Sequence, residues 1–323
     1  MTETITLTEP CNLCDGSQAR LRFVKFGFQI VACTRCGLEF LYPMPDREAI
    51  RAFYDEGYFT GDPERRGYLD YVGERDTFLK SFSEKLDRLE KILHTRARAG
   101  KAGNRDGQIR MLDIGAAAGW CVEAAQKRGW DAAGLEVSSY AVAQARDRGL
   151  CVVHGDSLEP FADRTFDVIT LWDALEHLRD PRSLLREACR MLAPDGVLAF
   201  STGDVGHFWS RLQGRQHRIY NPPQHLFYFS RTSMTRMAIA SGLRVLRIEP
   251  DEKVTTLHYV LHIARNLVDI PFLAKMFEFI MRVLPDWRVR MKLIDNLVVY
   301  CTPEPVGSAA SSPQPDVATS YPR

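Results

Sequence analysis

The chain is short of net charge: its 323 residues carry 42 Lys and Arg against 41 Asp and Glu, a balance of +1. Such a surface has no global field to draw in polyanions, so nucleic acid is not the first partner to expect. Long apolar runs are missing as well. Nothing approaches the roughly eighteen residues of a membrane span, and the opening MTETITLTEP lacks the basic stretch and apolar core of a secretory signal. A soluble, cytoplasmic protein without a transmembrane segment is expected. The sequence has no internal repeat. With 45% hydrophobic and 26% charged residues it has the composition of an ordinary globular protein. Its length exceeds one usual domain, which predicts a main domain with smaller attachments.

Eight cysteines are present, and in a chain of this length with no secretory signal they point to metal binding or free thiols rather than disulfides. Cys11 and Cys14 form one C-x2-C pair, Cys33 and Cys36 another, with eighteen residues between them. This spacing is that of a structural zinc site: each tight turn presents two thiolates, Gly16 and Gly37 relieve the backbone, and four protein ligands leave no position open for catalysis. Cys121, Cys151, Cys189 and Cys301 lack the pattern and read as small hydrophobes in helices or strands.

Periodicity predicts four regions. Residues 1–43 form a zinc ribbon around the β-like runs LRFVKF and FQIVAC, closed by YPMPD. Residues 44–105 form a helical linker or cap, in which Phe78, Phe82, Leu86, Leu89 and Leu93 recur at three- and four-residue intervals. Residues 106–302 alternate strand and helix. Strands are predicted at 110–114, 131–136, 150–154, 166–171, 196–201, 243–249 and 296–302, the pattern of an α/β, doubly wound, seven-stranded Rossmann-like sheet. A helical insertion is expected at about 257–291, and a Pro, Ser and Ala-rich disordered tail at 303–323.

The segment IRMLDIGAAAGW runs from a strand through a glycine turn into a helix. A dinucleotide fingerprint needs glycines where Gly115, Ala117 and Trp120 stand, and only the first is met. The segment instead resembles motif I of class I S-adenosylmethionine-dependent methyltransferases, D-x-G-x-G-x-G, with Asp113, Gly115 and Gly119 in place and Ala117 at the middle glycine. The resemblance covers about residues 108–250 and implies S-adenosyl-L-methionine as cofactor. In that reading Gly115 lets backbone approach the methionine portion and Asp113 balances its ammonium, directly or through water. Glu136, twenty-three residues after Asp113, ends the second strand and suits the ribose hydroxyls, with Val137 beside the adenine. Asp156 and Ser157 follow the third strand, where by resemblance the Asp156 carboxylate accepts the adenine amino group. Trp172 ends the fourth strand and is a further cofactor-pocket candidate.

The order of a four-cysteine start, YPMPD, a YDEGYF segment, motif I and PPQHLFYFS is similar to that of zinc-binding methyltransferases of bacterial glycan and secondary-metabolite pathways. Sugar C-methyltransferases share the first part but usually carry a further C-terminal domain, for which this chain has no room. The resemblance therefore implies methyl transfer to a small-molecule, glycan-linked or sugar-nucleotide acceptor at a hydroxyl. A hydroxyl acceptor benefits from a nearby base. His225 is the first candidate, its plain reading being a histidine packed beside aromatics and bonded to backbone. Glu176 and His177 follow the fourth strand, and with Asp173 their D-x-x-E-H order is similar to the E-x-x-E-H that ubiquinone-type O-methyltransferases link to a metal; support near the methyl group is the commoner reading. Trp209, Tyr220 and Tyr228 are candidate pocket walls, although aromatics at such spacings are more often core.

Two other classes compete. The ribbon's Arg20, Arg22, Lys25 and Arg35 would suit an RNA methyltransferase that uses the zinc module as reader, against the plain reading of a solvated face. A non-catalytic scaffold would keep the nucleoside pocket and use the apolar stretch Phe272 to Leu284 for a partner or a homodimer, closure over the domain's own core being the simpler use.

Overall fold

The computed structural model describes residues 4–54, 56–60, 75–98, 107–257, 261, 276, 279–280, 283–284 and 287–305. The N-terminal strands are β1 (Thr4–Thr6), β2 (Gln18–Lys25), β3 (Phe28–Cys33) and β4 (Glu39–Tyr42). They form an antiparallel ribbon, as LRFVKF and FQIVAC predict. The ribbon is not free-standing. A short strand β10 (Phe227–Tyr228) from the far end of the chain pairs with β4, Phe227 opposite Phe40 and Tyr228 opposite Glu39. One continuous core joins Leu13, Leu38, Phe40 and Leu41 of the ribbon to Leu226, Phe227 and Phe229, and onward to the main sheet.

Helices α1 (Arg47–Phe53) and α2 (Glu56–Thr60) follow. Asp46 caps α1, its carboxylate accepting the Ala49 N–H at 2.8 Å, which satisfies one of the donors that a helix start leaves unpaired. Helix α3 (Arg75–Arg98) lays the predicted stripe on the main domain: Leu86 and Leu89 are fully buried, and Leu93 nearly so. Burying each such leucine contributes about 1.5–3 kcal/mol.

The main sheet contains β5 (Arg110–Ile114), β6 (Asp131–Glu136), β7 (Val152–His154), β8 (Phe166–Trp172), β9 (Leu192–Gly203), β11 (Leu243–Thr256) and β12 (Arg288–Pro303). Its order is β11-β12-β9-β8-β5-β6-β7, with β5 to β9 parallel and β12 inserted antiparallel between β9 and β11. The parallel strands are near-continuous apolar runs because helices cover both faces. These helices are α3, α4 (Trp120–Gln126), α5 (Ser139–Arg146), α6 (Pro181–Met191) and α8 (Arg231–Ala240), while α7 (Phe208–Gln213) lies between β9 and β10 away from the sheet. Asp180 caps α6 ahead of Pro181, and Ser230 forms a capping box with Ser233 on α8.

The seven-stranded α/β sheet follows the sequence reading, with one correction at its antiparallel edge. β11 and β12 are longer than expected, because their outer halves, Asp251–Thr256 and Arg288–Leu293, pair with each other beyond the rest of the sheet. Residues 288–291, assigned to the helical insertion, are therefore strand. Most of the remainder of that insertion, the Gly100–Gly107 linker up to residue 106 and the tail beyond residue 305 lie outside the described residues. Among the described residues no helix is long and apolar enough to cross a membrane.

Candidate functional site

The carboxyl ends of β5, β6, β7 and β8 open into a cavity of about 830 Å³, roofed by α1, α2 and α3 and bordered on one side by β11 and β12. This is where open α/β sheets bind ligands. Asp113, Gly115, Ala117, Glu136, Val137, Asp156, Ser157 and Trp172 all line it. Gly119 does not. It starts α4 in the left-handed region (φ 80°), and a Cβ there would meet Leu150 at 2.9 Å, so its task is the turn itself.

The turn is tightly specified. Gly115 also has a positive φ of 76°, and a Cβ on it would stand 2.8 Å from that of Ala174. Ala117, at the middle glycine of the motif, is held at φ 47°, a conformation that costs a residue with a Cβ about 1–2 kcal/mol. Glu136 clamps the turn: its two carboxylate oxygens accept the N–H groups of Ala117 and Ser138, each at 2.8 Å. Asp113 is buried beneath the turn, where Thr170 Oγ1 donates to it at 2.6 Å. Burial pushes the Asp113 carboxyl up to about 7, against the Thr170 hydrogen bond. The Glu136 carboxyl is also raised by burial.

Asp156 is engaged from above. Arg51 Nη2 donates to its carboxylate at 2.7 Å, and Arg47 lies 3.8 Å away, so α1 is tied across the end of β7. Tyr54, one residue beyond α1, makes a second tie: its hydroxyl lies 2.8 Å from Nδ1 of His177.

Of the three base candidates, only His177 reaches the cavity. Its Nδ1 also lies 2.9 Å from the Gln224 carbonyl. A carbonyl only accepts, so His177 carries its proton on Nδ1 and leaves Nε2 as the lone-pair nitrogen. Burial lowers the pKa of His177, which keeps it neutral near pH 7. His225 does not line the cavity. Its Nδ1 bonds to the Ile219 carbonyl at 2.7 Å, its ring packs edge-on against His177 with centroids 4.8 Å apart, and burial holds its pKa down at about 3. Glu176 likewise sits behind the wall, one carboxylate oxygen buried without a hydrogen-bond partner, and burial pushes it up to about 8. Glu176, His177 and His225 each offer a ligand atom, all within 4.8 Å of one another. Asp173 is not part of that group. Its carboxylate takes Ser201 Oγ, Asn296 Nδ2 and the Lys253 ammonium. Burial opposes its ionisation, yet Lys253 and Lys85 hold it well below the usual carboxylate range.

Three aromatic candidates do not line the cavity. Tyr220 and Tyr228 pack with Ile30 and Ile219 in the seam between ribbon and main sheet, and Trp209 is on the outer surface of α7. Conversely, Tyr54, Lys85 and Lys253 line the cavity without having been assigned roles. Lys85 carried a signal: it stands three residues after Phe82 on the apolar stripe of α3. It is buried, 2.7 Å from Asp251 and 4.2 Å over the ring of Trp172.

The four N-terminal cysteines converge at one end of the ribbon. Sγ of Cys11 lies 3.6 Å from that of Cys36, Sγ of Cys14 lies 3.5 Å from that of Cys33, and no disulfide joins them. The ribbon's basic residues are largely occupied: Arg22 pairs with Glu39, Arg35 donates to the Cys14 carbonyl and Lys25 to that of His217.

Residues 78–248, more than half of the chain, match the family model described as a methyltransferase domain. Similar proteins include the ubiquinone biosynthesis O-methyltransferases of Methylococcus capsulatus, 36% identical over 101 residues (29% of this chain, 43% of that protein), and of Actinobacillus pleuropneumoniae, 33% identical over 105 residues (29% and 45%). The chain thus spans less than half the length of these curated relatives. Among solved structures, the plantazolicin methyltransferase BpumL in complex with SAH is matched with a TM-score of 0.48 at 14% identity, over 80% of this chain and 96% of that one. A methyltransferase of Bacillus halodurans is matched with a TM-score of 0.43 at 15% identity, over 66% and 97%. With the family model matched over more than half of its length, including β5 to β8, the chain belongs to the methyltransferase-domain family.

Proposed function

We propose that the protein transfers a methyl group from S-adenosylmethionine to a hydroxyl of a small-molecule or glycan-linked acceptor. The residues present fit that cofactor: a glycine turn with no room for a side chain at Gly115, two buried carboxylates at Asp113 and Glu136, and Asp156 at the next strand end. When bound, the cofactor supplies an electrophilic methyl on a sulfonium. Asp113 would face its ammonium, Glu136 its ribose hydroxyls, and Val137, Asp156 and Ser157 its adenine. A cavity of about 830 Å³ has room for the cofactor and a compact acceptor beside it.

The observation that carries the hydroxyl reading is the tie between Tyr54 and His177 at the cavity wall. Tyr54 and the Gln224 carbonyl hold the ring through Nδ1, so a neutral imidazole at the cavity wall would have Nε2 free to take the proton of an acceptor hydroxyl. Positioning in a closed cleft supplies the remainder of the acceleration. The names of the ubiquinone O-methyltransferase relatives support an oxygen acceptor. Ion pairs and backbone contacts already occupy three of the ribbon's four basic residues, which leaves little for RNA. The zinc reading rests on the four converging thiols, which fit a tetrahedral structural ion.

The test is transfer itself. Protein supplied with methyl-labelled S-adenosylmethionine and a panel of phenolic and glycosidic hydroxyl acceptors should yield a labelled ether and S-adenosylhomocysteine. Label found only on nitrogen, on carbon or on RNA would overturn the hydroxyl assignment.

A further inference from the structure

Between β9 and β10 the segment from Val205 to Arg218 reads VGHFWSRLQGRQHR, with three arginines and no acid. Helix α7 lies within it. Ser210 anchors the helix, its buried hydroxyl donating to the Asp204 carbonyl at 2.7 Å. That anchor turns the flanking residues outward: Phe208 is 68% exposed, Trp209 43% and Leu212 71%. Phe208 and Leu212 are four residues apart and share a face, so three large apolar side chains stand in water on one turn and a half of helix. None of the three belongs to either main core.

Some exposed or half-buried arginines of the molecule meet carboxylates, as Arg128 does with Asp87 and Arg164 with Asp131. Arg211 and Arg215 are exposed and have no ion-pair partner among the described residues, and Arg218, close by in the chain, pairs with Asp295 at 3.0 Å. The ribbon's hairpin tip is adjacent: Lys25 donates to the His217 carbonyl at 3.2 Å, and Phe26 next to it is 53% exposed. Exposed aromatic and aliphatic side chains flanked by two unpaired arginines match the boundary between acyl chains and anionic headgroups.

We propose that α7 and its flanking arginines are a docking surface for an anionic lipid bilayer, with Phe208, Trp209 and Leu212 entering the interface and Arg211 and Arg215 on lipid phosphates. A second copy of the chain would bring a second set of unpaired arginines against the first, which disfavours self-association through this face. Arg218 also lines the cavity, so docking would set that part of its rim near the membrane. The inference does not depend on the acceptor or the cofactor.

Co-sedimentation of the full chain with vesicles tests it. Binding to phosphatidylcholine vesicles containing phosphatidylglycerol should exceed binding to pure phosphatidylcholine vesicles by on the order of tenfold or more, and should weaken with salt. Phe208→Ser with Leu212→Ser should abolish the binding, and Arg211→Gln with Arg215→Gln should bring it down to the phosphatidylcholine level, both with unchanged circular dichroism and melting temperature. Equal binding to the two vesicle types, or binding untouched by either pair, would overturn the proposal. So would a concentration-dependent dimer, seen by light scattering, that the Phe208 and Leu212 changes dissolve while vesicles capture nothing.

Discussion

The hydroxyl of Tyr54 lies 2.8 Å from Nδ1 of His177, joining the end of the α1 cap to the loop after β8. Among the described residues, this contact orders the one imidazole that lines the cavity. His177→Ala should lower kcat by about 10²–10⁴-fold while leaving the S-adenosylmethionine affinity within a few-fold. Tyr54→Phe removes an anchor and not the base, so it should cost less and shift the acidic limb of the pH–rate profile. Because burial lowers the His177 pKa, the wild-type rate should be flat from pH 7 to 8 and fall only on the acid side.

Cofactor affinity should depend on pH through Asp113. Burial raises its carboxyl to about 7, so below that pH the free protein holds a proton there that an incoming ammonium must expel. Calorimetry should show affinity falling toward pH 6, by at most about tenfold per pH unit, with proton release. Asp113→Asn should bind weakly and without this slope. The sign for the free fold is opposite: a raised folded pKa favours folding at low pH, and that contribution fades as pH rises through about 7.

Lys85 and Asp251 form a buried ion pair at 2.7 Å, with Lys85 also over Trp172. Removing Lys85 leaves the buried Asp251 with the more distant Lys253 at 3.7 Å and Asn296 at 3.3 Å. Lys85→Ala should destabilise the fold by about 3–5 kcal/mol, measured by urea unfolding, whereas Lys85→Met with Asp251→Leu should cost much less.

The ribbon shares its core with the main domain, so zinc should stabilise both. Native mass spectrometry should find one zinc ion per chain. Chelation, or Cys33→Ser, should lower the melting temperature of the whole molecule and not only of the ribbon. A protein whose unfolding is unaffected by chelator would remove zinc from the description.

Ala117 occupies a left-handed position that glycine fills without strain. Ala117→Gly should therefore raise stability by roughly 0.5–1 kcal/mol after the extra entropy of the unfolded chain is counted. An unchanged or lower unfolding midpoint would show that the turn relaxes around the alanine.

The parallel strands were legible in the sequence because each is a short apolar run ended by a turn or an acid, and because Asp113, Glu136 and Asp156 fall at successive strand ends. The cysteine spacing was equally plain. The base was not. His225 and His177 both stand in motifs, and only the fold shows that Ile219 and Gln224 direct their rings to opposite sides of one wall. Trp209 was misplaced because its exposure is set by the Ser210 anchor, a single hydrogen bond that periodicity does not record. The outer halves of β11 and β12 were missed because Asp251–Thr256 and Arg288–Leu293 face solvent on one side and are rich in charge, so their apolar signal is weak.

The central claim is that the ends of β5, β6, β7 and β8 grip an adenosyl sulfonium, and binding calorimetry tests it most directly. S-adenosylmethionine or S-adenosylhomocysteine titrated into the full chain should bind at one site, and Gly115→Arg, which fills the space beside Ala174, should abolish binding while the zinc content stays intact. No heat from the wild-type protein, or the same affinity in the Gly115 variant, would contradict it.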